Sequence, residues 1–187
     1  MNESSPSAHL DTLAQHAERT TAEVRETFGR HSKEALCWKP APKVWSITEV
    51  VDHLVVATDD YRPRLDAAIE RAPESSVPYK PTWFGGWFVG MLAPGKRPMK
   101  TSKIFYPTAA AVDPAAVLER FENRQELLVG WIDRATGRDL NGTKLNTALK
   151  ILPKISIGDA LDLLVTHQRR HLEQIERSLA HPEFPGS

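Results

Sequence analysis

The chain has 187 residues, with 24 basic and 24 acidic side chains and an apolar share of 41%. That is enough for one domain with a sizeable core, and a net charge of zero leaves no overall basic field to gather nucleic acid or an anionic membrane. Cys37 is the single cysteine, so an intrachain disulfide is excluded and a reducing, cytoplasmic setting is expected. The opening residues lack the apolar core of a signal peptide. The longest apolar run, 83–93, is broken by glycines and too short to span a bilayer.

In chain order, residues 1–7 and 182–187 read as flexible tails around a single helical domain, 8–181. A first helix is predicted from about His9, because Leu10, Leu13, Ala17, Val24 and Phe28 recur at helical spacings. Gly29 marks its end, and Pro40 and Pro42 make the following stretch a connector. Ser46-Ile47-Thr48-Glu49 has the form of a capping box, flanked by Trp45 and Val50 as a hydrophobic staple. The second helix it opens carries an inward stripe of Val50, Leu54, Ala57, Tyr61, Leu65 and Ala68, with His53 beside it. Pro63 falls inside this pattern and predicts a kink or a local break.

Residues 72–112 are rich in proline and glycine, and a long segment of that kind inside one domain is often functional. Its centre, residues 83–92, is too apolar to float in water and is expected to pack as a short helix or lid. Asp113-Pro114 starts a third helix as an N-cap followed by proline at the first helical position. Its buried stripe is Val117, Phe121, Leu128, Trp131 and Ile132, and Gly137 closes it. Ser156-Ile157-Gly158-Asp159 opens a fourth helix with another box-like cap, and that helix runs to about Leu179. Four long amphipathic helices, no convincing strand and one long excursion predict an all-α four-helix bundle, with the Pro/Gly-rich excursion between the second and third helices.

The chemistry concentrates in the fourth helix. His167 and His171 stand four apart, one turn above each other on a face shared with Leu164, Gln174 and Ile175. Two imidazoles on an inward face are either satisfied core groups or part of a metal ligand set. His53 is the natural third member. Three imidazoles from two helices suit a first-row divalent ion such as zinc or nickel and leave coordination positions open, as catalytic sites do. The alternative is a partly buried His53, with His167 and His171 bonded to carboxylates or water. Glu49, Asp52 and Gln174 lie within helical reach for supporting hydrogen bonds.

The segments Trp45-Ser46-Ile47-Thr48-Glu49-Val50-Val51-Asp52-His53-Leu54 and His167-Gln168-Arg169-Arg170-His171-Leu172-Glu173-Gln174-Ile175 resemble the two histidine motifs of the DinB-like (DinB/YfiT) superfamily of four-helix-bundle proteins. Residues 98–107 are similar to that family's middle region, and the resemblance spans about residues 10–180. It implies that His53, His167 and His171 form the family's metal triad, with all three positions filled. Some relatives are transferases or isomerases that use low-molecular-weight thiols such as bacillithiol or mycothiol, and many have no known activity. The resemblance therefore points to a metal-dependent thiol transferase, isomerase or hydrolase acting on a small-molecule substrate, with such a thiol as a candidate cofactor.

The competing expectation is a non-catalytic metal-binding or interaction module, a homodimer joined through residues 83–92. Trp83, Phe84, Trp87 and Phe88 read as core or dimer contacts, or else as a lid over the metal. The basic run Gly95-Lys96-Arg97-Pro98-Met99-Lys100-Thr101-Ser102-Lys103 reads as a solvated loop, or else as a contact for phosphate or an acidic thiol. Cys37 has no evident base and is expected to be a buried, inert thiol. Neither a dinucleotide loop nor a serine nucleophile elbow occurs in the sequence.

Overall fold

The apolar spacings become helices in a computed structural model of the chain, which describes residues 6–96, 100–148 and 151–186. In order these are α1 (Pro6–Arg30), α2 (Lys33–Leu36), α3 (Ile47–Arg71), α4 (Trp83–Leu92), α5 (Pro114–Ala135) and α6 (Ile157–Leu179). Two-residue strands β1 (Lys144–Leu145) and β2 (Ile155–Ser156) pair antiparallel, Lys144 opposite Ser156 and Leu145 opposite Ile155. This short clasp, absent from the sequence expectation, feeds directly into α6. Helix α1 starts at Pro6, earlier than expected, because proline fits a first helical turn at no hydrogen-bonding cost. Residues 1–5, 97–99, 149–150 and 187 lie outside the described residues, and with them parts of both expected tails and the start of the 98–107 segment.

Helices α1, α3, α5 and α6 form a four-helix bundle. Helix α1 packs against α5 and α6, and so does α3. Consecutive long helices α1 and α3 thus face each other across a diagonal, as do α5 and α6. The expected stripes all point inward: Leu10, Ala17 and Val24 of α1, Leu54 and Leu65 of α3, Phe121 and Trp131 of α5, and Leu161 and Ile175 of α6 are buried. The apolar core falls into two clusters that part on each helix at a similar level, between Ala17 and Val24, Val55 and Tyr61, Phe121 and Leu128, and Val165 and Ile175. A polar layer fills the gap. The buried amides of Gln125 and Gln168 bond each other reciprocally, with Nε2 to Oε1 distances of 3.3 and 2.6 Å, and Gln125 also donates to the Ala17 carbonyl. His167 and His171 flank Gln168 in this layer.

Pro63 does not break its helix, since α3 runs unbroken through it. It lies on the exposed face of α3, away from the buried stripe, where a lost backbone hydrogen bond costs least. Cys37 is half-buried, not buried as expected, because it caps the one-turn α2, with Sγ 3.8 Å from Thr48 Oγ1. Residues 182–186, read as a tail, fold back: the Phe184 ring meets His31 and Trp38 edge-on at 5.3 and 5.7 Å. Among the described residues no helix is long and apolar enough to cross a membrane.

The excursion between α3 and α5 is organised by α4, which lies on α6. Asp159, in the first turn of α6, accepts from Thr82 Oγ1 at 2.7 Å, Thr82 N at 3.1 Å and the Tyr79 hydroxyl at 2.9 Å. Gly85 makes this approach feasible: a Cβ there would stand 2.1 Å from the Asp159 carboxylate.

Candidate metal centre

Both histidine-bearing helices open with a reciprocal capping box. Ser46 accepts from Glu49 N at 3.1 Å while Glu49 Oε2 accepts from Ser46 N at 2.8 Å. Ser156 and Asp159 do the same at the head of α6, at 3.1 Å in both directions. These boxes fix where each helix begins, and hence the rotational setting of the histidines that follow.

The three imidazoles converge. His53 Nε2 lies 3.1 Å from His167 Nε2, and His171 Nε2 lies 3.0 Å from the same atom. Their candidate ligand atoms all fall within 4.8 Å of one another. His53 and His171 are buried and His167 is half-buried. Trp45 covers the cluster, its ring centroid 5.0 Å from that of His53.

The outer nitrogens decide the tautomers. His53 Nδ1 is 2.6 Å from the Phe105 carbonyl, and His171 Nδ1 is 2.9 Å from Gln174 Oε1. Both partners are acceptors, so Nδ1 carries the proton in each ring and Nε2 presents a lone pair. Two lone pairs therefore face His167 Nε2 from either side. A single proton on His167 can serve one of them, whereas a cation among the three nitrogens would serve all.

Electrostatics keep the rings neutral. Burial lowers the His53 pKa, against the opposing pull of the Phe105 carbonyl and Asp52. Burial, followed by the like charge of His53, brings His171 down to about 3. His167 is pushed well below its ordinary value by burial and then by His171, His53 and Arg170. Neutral imidazole is the form that ligates a metal, so protons compete weakly here at neutral pH.

The cluster opens into a cleft of about 1460 Å³. Trp45, Phe88, Leu92, Phe105 and Leu163 give it apolar walls, so α4 contributes one side. The aromatic residues of α4 divide: Phe84 and Phe88 pack on the core, whereas Trp83 and Trp87 are 86% and 51% exposed. Of the three supporting residues read from the sequence, Gln174 is in place. Glu49 is occupied by its cap and by Lys39 Nζ at 2.8 Å. Asp52 is fully buried but turns away, accepting from Thr108 Oγ1 at 2.9 Å and Arg120 Nη1 at 2.6 Å. The Phe105 carbonyl went unforeseen. It belongs to a 3-10 turn at Lys103–Phe105, and a backbone acceptor leaves no mark in the sequence.

A family model for the DinB superfamily matches residues 16–175, a span that holds all three histidines. The chain belongs to the DinB superfamily. Its structure is similar to that of YfiT from Bacillus subtilis, described as a probable metal-dependent hydrolase with an unusual four-helix bundle topology. The TM-score is 0.61 at 18% identity, and the match covers 96% of this chain and 91% of YfiT. At that identity the likeness shows a shared fold and nothing more. Comparison with curated proteins gave no match.

Proposed function

We propose that this DinB-superfamily protein is a metal-dependent enzyme, in which His53, His167 and His171 hold one divalent ion, zinc or nickel, through their Nε2 atoms. The observation that carries this reading is the convergence of those atoms while the Nδ1 protons of His53 and His171 are committed to Phe105 and Gln174. When bound, a divalent ion at an open three-imidazole site lowers the pKa of a water or thiol toward neutrality and so supplies a nucleophile. Hydrolysis, or transfer of a low-molecular-weight thiol to a small electrophilic substrate, follows from that chemistry. The residues of the chain supply the rest. Phe105 and Gln174 orient the rings, Trp45 shields the His53 side, and Phe88 and Leu92 offer an apolar wall that limits water around a bound substrate.

The test is elemental analysis of protein prepared without an affinity tag, joined to a turnover screen of thiols and electrophiles. About one ion per chain is expected, lost when His53, His167 or His171 is replaced by alanine. Metal-free protein, or metal content indifferent to those replacements, sinks the proposal. The exposed Trp83 and Trp87 favour a second reading, a non-catalytic module that pairs with another copy through α4. Light scattering separates the two, since a monomer at every concentration disposes of the pairing.

A further inference from the structure

The cleft above the three histidines is electrically lopsided in a chain whose charges balance. Among the described residues seven basic side chains line it and two acidic ones, although the whole chain has 24 of each. Both acidic groups are already engaged. Glu49 caps α3 and pairs with Lys39 at 2.8 Å, and Glu173 accepts from Gly95 N at 2.8 Å and faces Arg177 at 3.9 Å. Besides Lys39, the cations of the cleft come from four separate parts of the chain: Lys43 before α3, Lys96 after α4, Lys100 and Lys103 beyond it, and on α6 itself Arg177, which faces Glu173, and Arg170, which donates to the Met91 carbonyl at 3.1 Å. Arg170 stands one residue before His171 and lines the same cleft.

Burial sorts the cleft by depth. Lys43, Lys96, Lys100, Lys103 and Arg177 line the cleft with exposed side chains, which places their charges on its solvent side, while Leu163, Leu164 and Ala57 line it as buried apolar surface. A mouth of like charges with low-dielectric walls focuses potential inward. Ammonium groups on flexible stems suit an anionic group of any geometry, while the floor suits an apolar body.

We infer that the substrate taken by this cleft is a small organic anion, its carboxylate or phosphate held at the lysine-lined mouth and its apolar body reaching toward His53, His167 and His171. This deepens the proposed function and rests on it.

The test uses three metal-binding probes that share one head group and differ in the charge at the far end. These are succinate monohydroxamate (anionic), butanohydroxamate (neutral) and 4-aminobutanohydroxamate (cationic), titrated by calorimetry into the zinc-loaded full chain. The anion is expected to bind about tenfold tighter than the neutral probe at low salt, with the cation weakest, and the gap should shrink to about threefold at 0.5 M salt as the field is screened. The double variant Lys43→Glu, Lys96→Glu alters exposed side chains, and its thermal melt and zinc content report folding independently. In it the advantage of the anion should fall to within about twofold. Equal affinities for the three probes overturn the inference while leaving the metal reading intact. Retention of the full anion advantage in the double variant overturns it as well, and protein that holds neither zinc nor nickel overturns both.

Discussion

Helix α6 carries two buried polar clusters, and they are built on opposite principles. At its N-terminus the Asp159 carboxylate has donors on every side: Thr82 twice, Tyr79 and Ser156. Burial pushes its pKa up, but those hydrogen bonds more than offset it and hold the group below its usual range. Two turns on, the nitrogens of His53 and His171 point lone pairs at His167 Nε2 from 3.1 and 3.0 Å. A polar cluster whose donors and acceptors match is finished, and its work is to fasten α4 to the bundle. A cluster of acceptors aimed at one another is incomplete until a cation joins it, which marks a place for chemistry.

That contrast can be broken by exchanging damage between the clusters. His167→Ala should weaken metal affinity more than about a hundredfold, while the stability of the ion-free protein changes by less than about 1 kcal/mol. Metal titration and denaturant unfolding check the two halves. Asp159→Ala should do the reverse, lowering stability by about 3 kcal/mol because Thr82 and Tyr79 lose a buried charged acceptor, with the metal stoichiometry retained. Unfolding midpoints that move equally in the two variants would erase the distinction. A finer cut is Gln174→Leu, which frees His171 to rotate or change tautomer. Metal affinity should fall about tenfold with little change in melting.

Acid offers the gentlest probe. His171 is held at about 3, by burial first and then by His53, against an ordinary 6.5. Between those values the unfolded chain binds more protons than the folded one, so the ion-free protein loses stability as pH falls from about 6.5. Asp159, whose pKa is depressed, loses its contribution only at lower pH, beneath the ordinary carboxylate value of 3.8. Melts of ion-free protein at pH 7.5 and 5 should therefore differ, and the difference should shrink in His171→Ala. A pH-independent melt would show that the rings are not buried neutral.

Much of this was legible in the sequence because helices announce themselves. The spacing of Leu54, Tyr61 and Leu65, the boxes at Ser46 and Ser156, and the four-residue step from His167 to His171 are all periodic signals that helix geometry turns into position. What escaped was non-periodic. The carbonyl of Phe105 acts through the backbone and is silent about its side chain. Asp159 reads as a cap, and only the folded chain shows its other oxygen bonds going to Thr82 and Tyr79. Asp52, next to His53 and thus a candidate to support it, turns toward Thr108 and Arg120, because neighbours on a helix point about 100° apart. The diagonal placement of successive helices is likewise a long-range outcome that no local pattern encodes.

That diagonal arrangement has a consequence for biogenesis. His53 and His167 are separated by 114 positions in the chain, and the helices that bear them meet only when α6 docks against α3. During synthesis no partial chain lacking α6 offers a nascent coordination sphere, so capture of an ion would belong to the finished molecule. The identity of a metal taken up there would then be set by what the mature protein encounters, a matter of supply and exchange rather than of assembly at the ribosome.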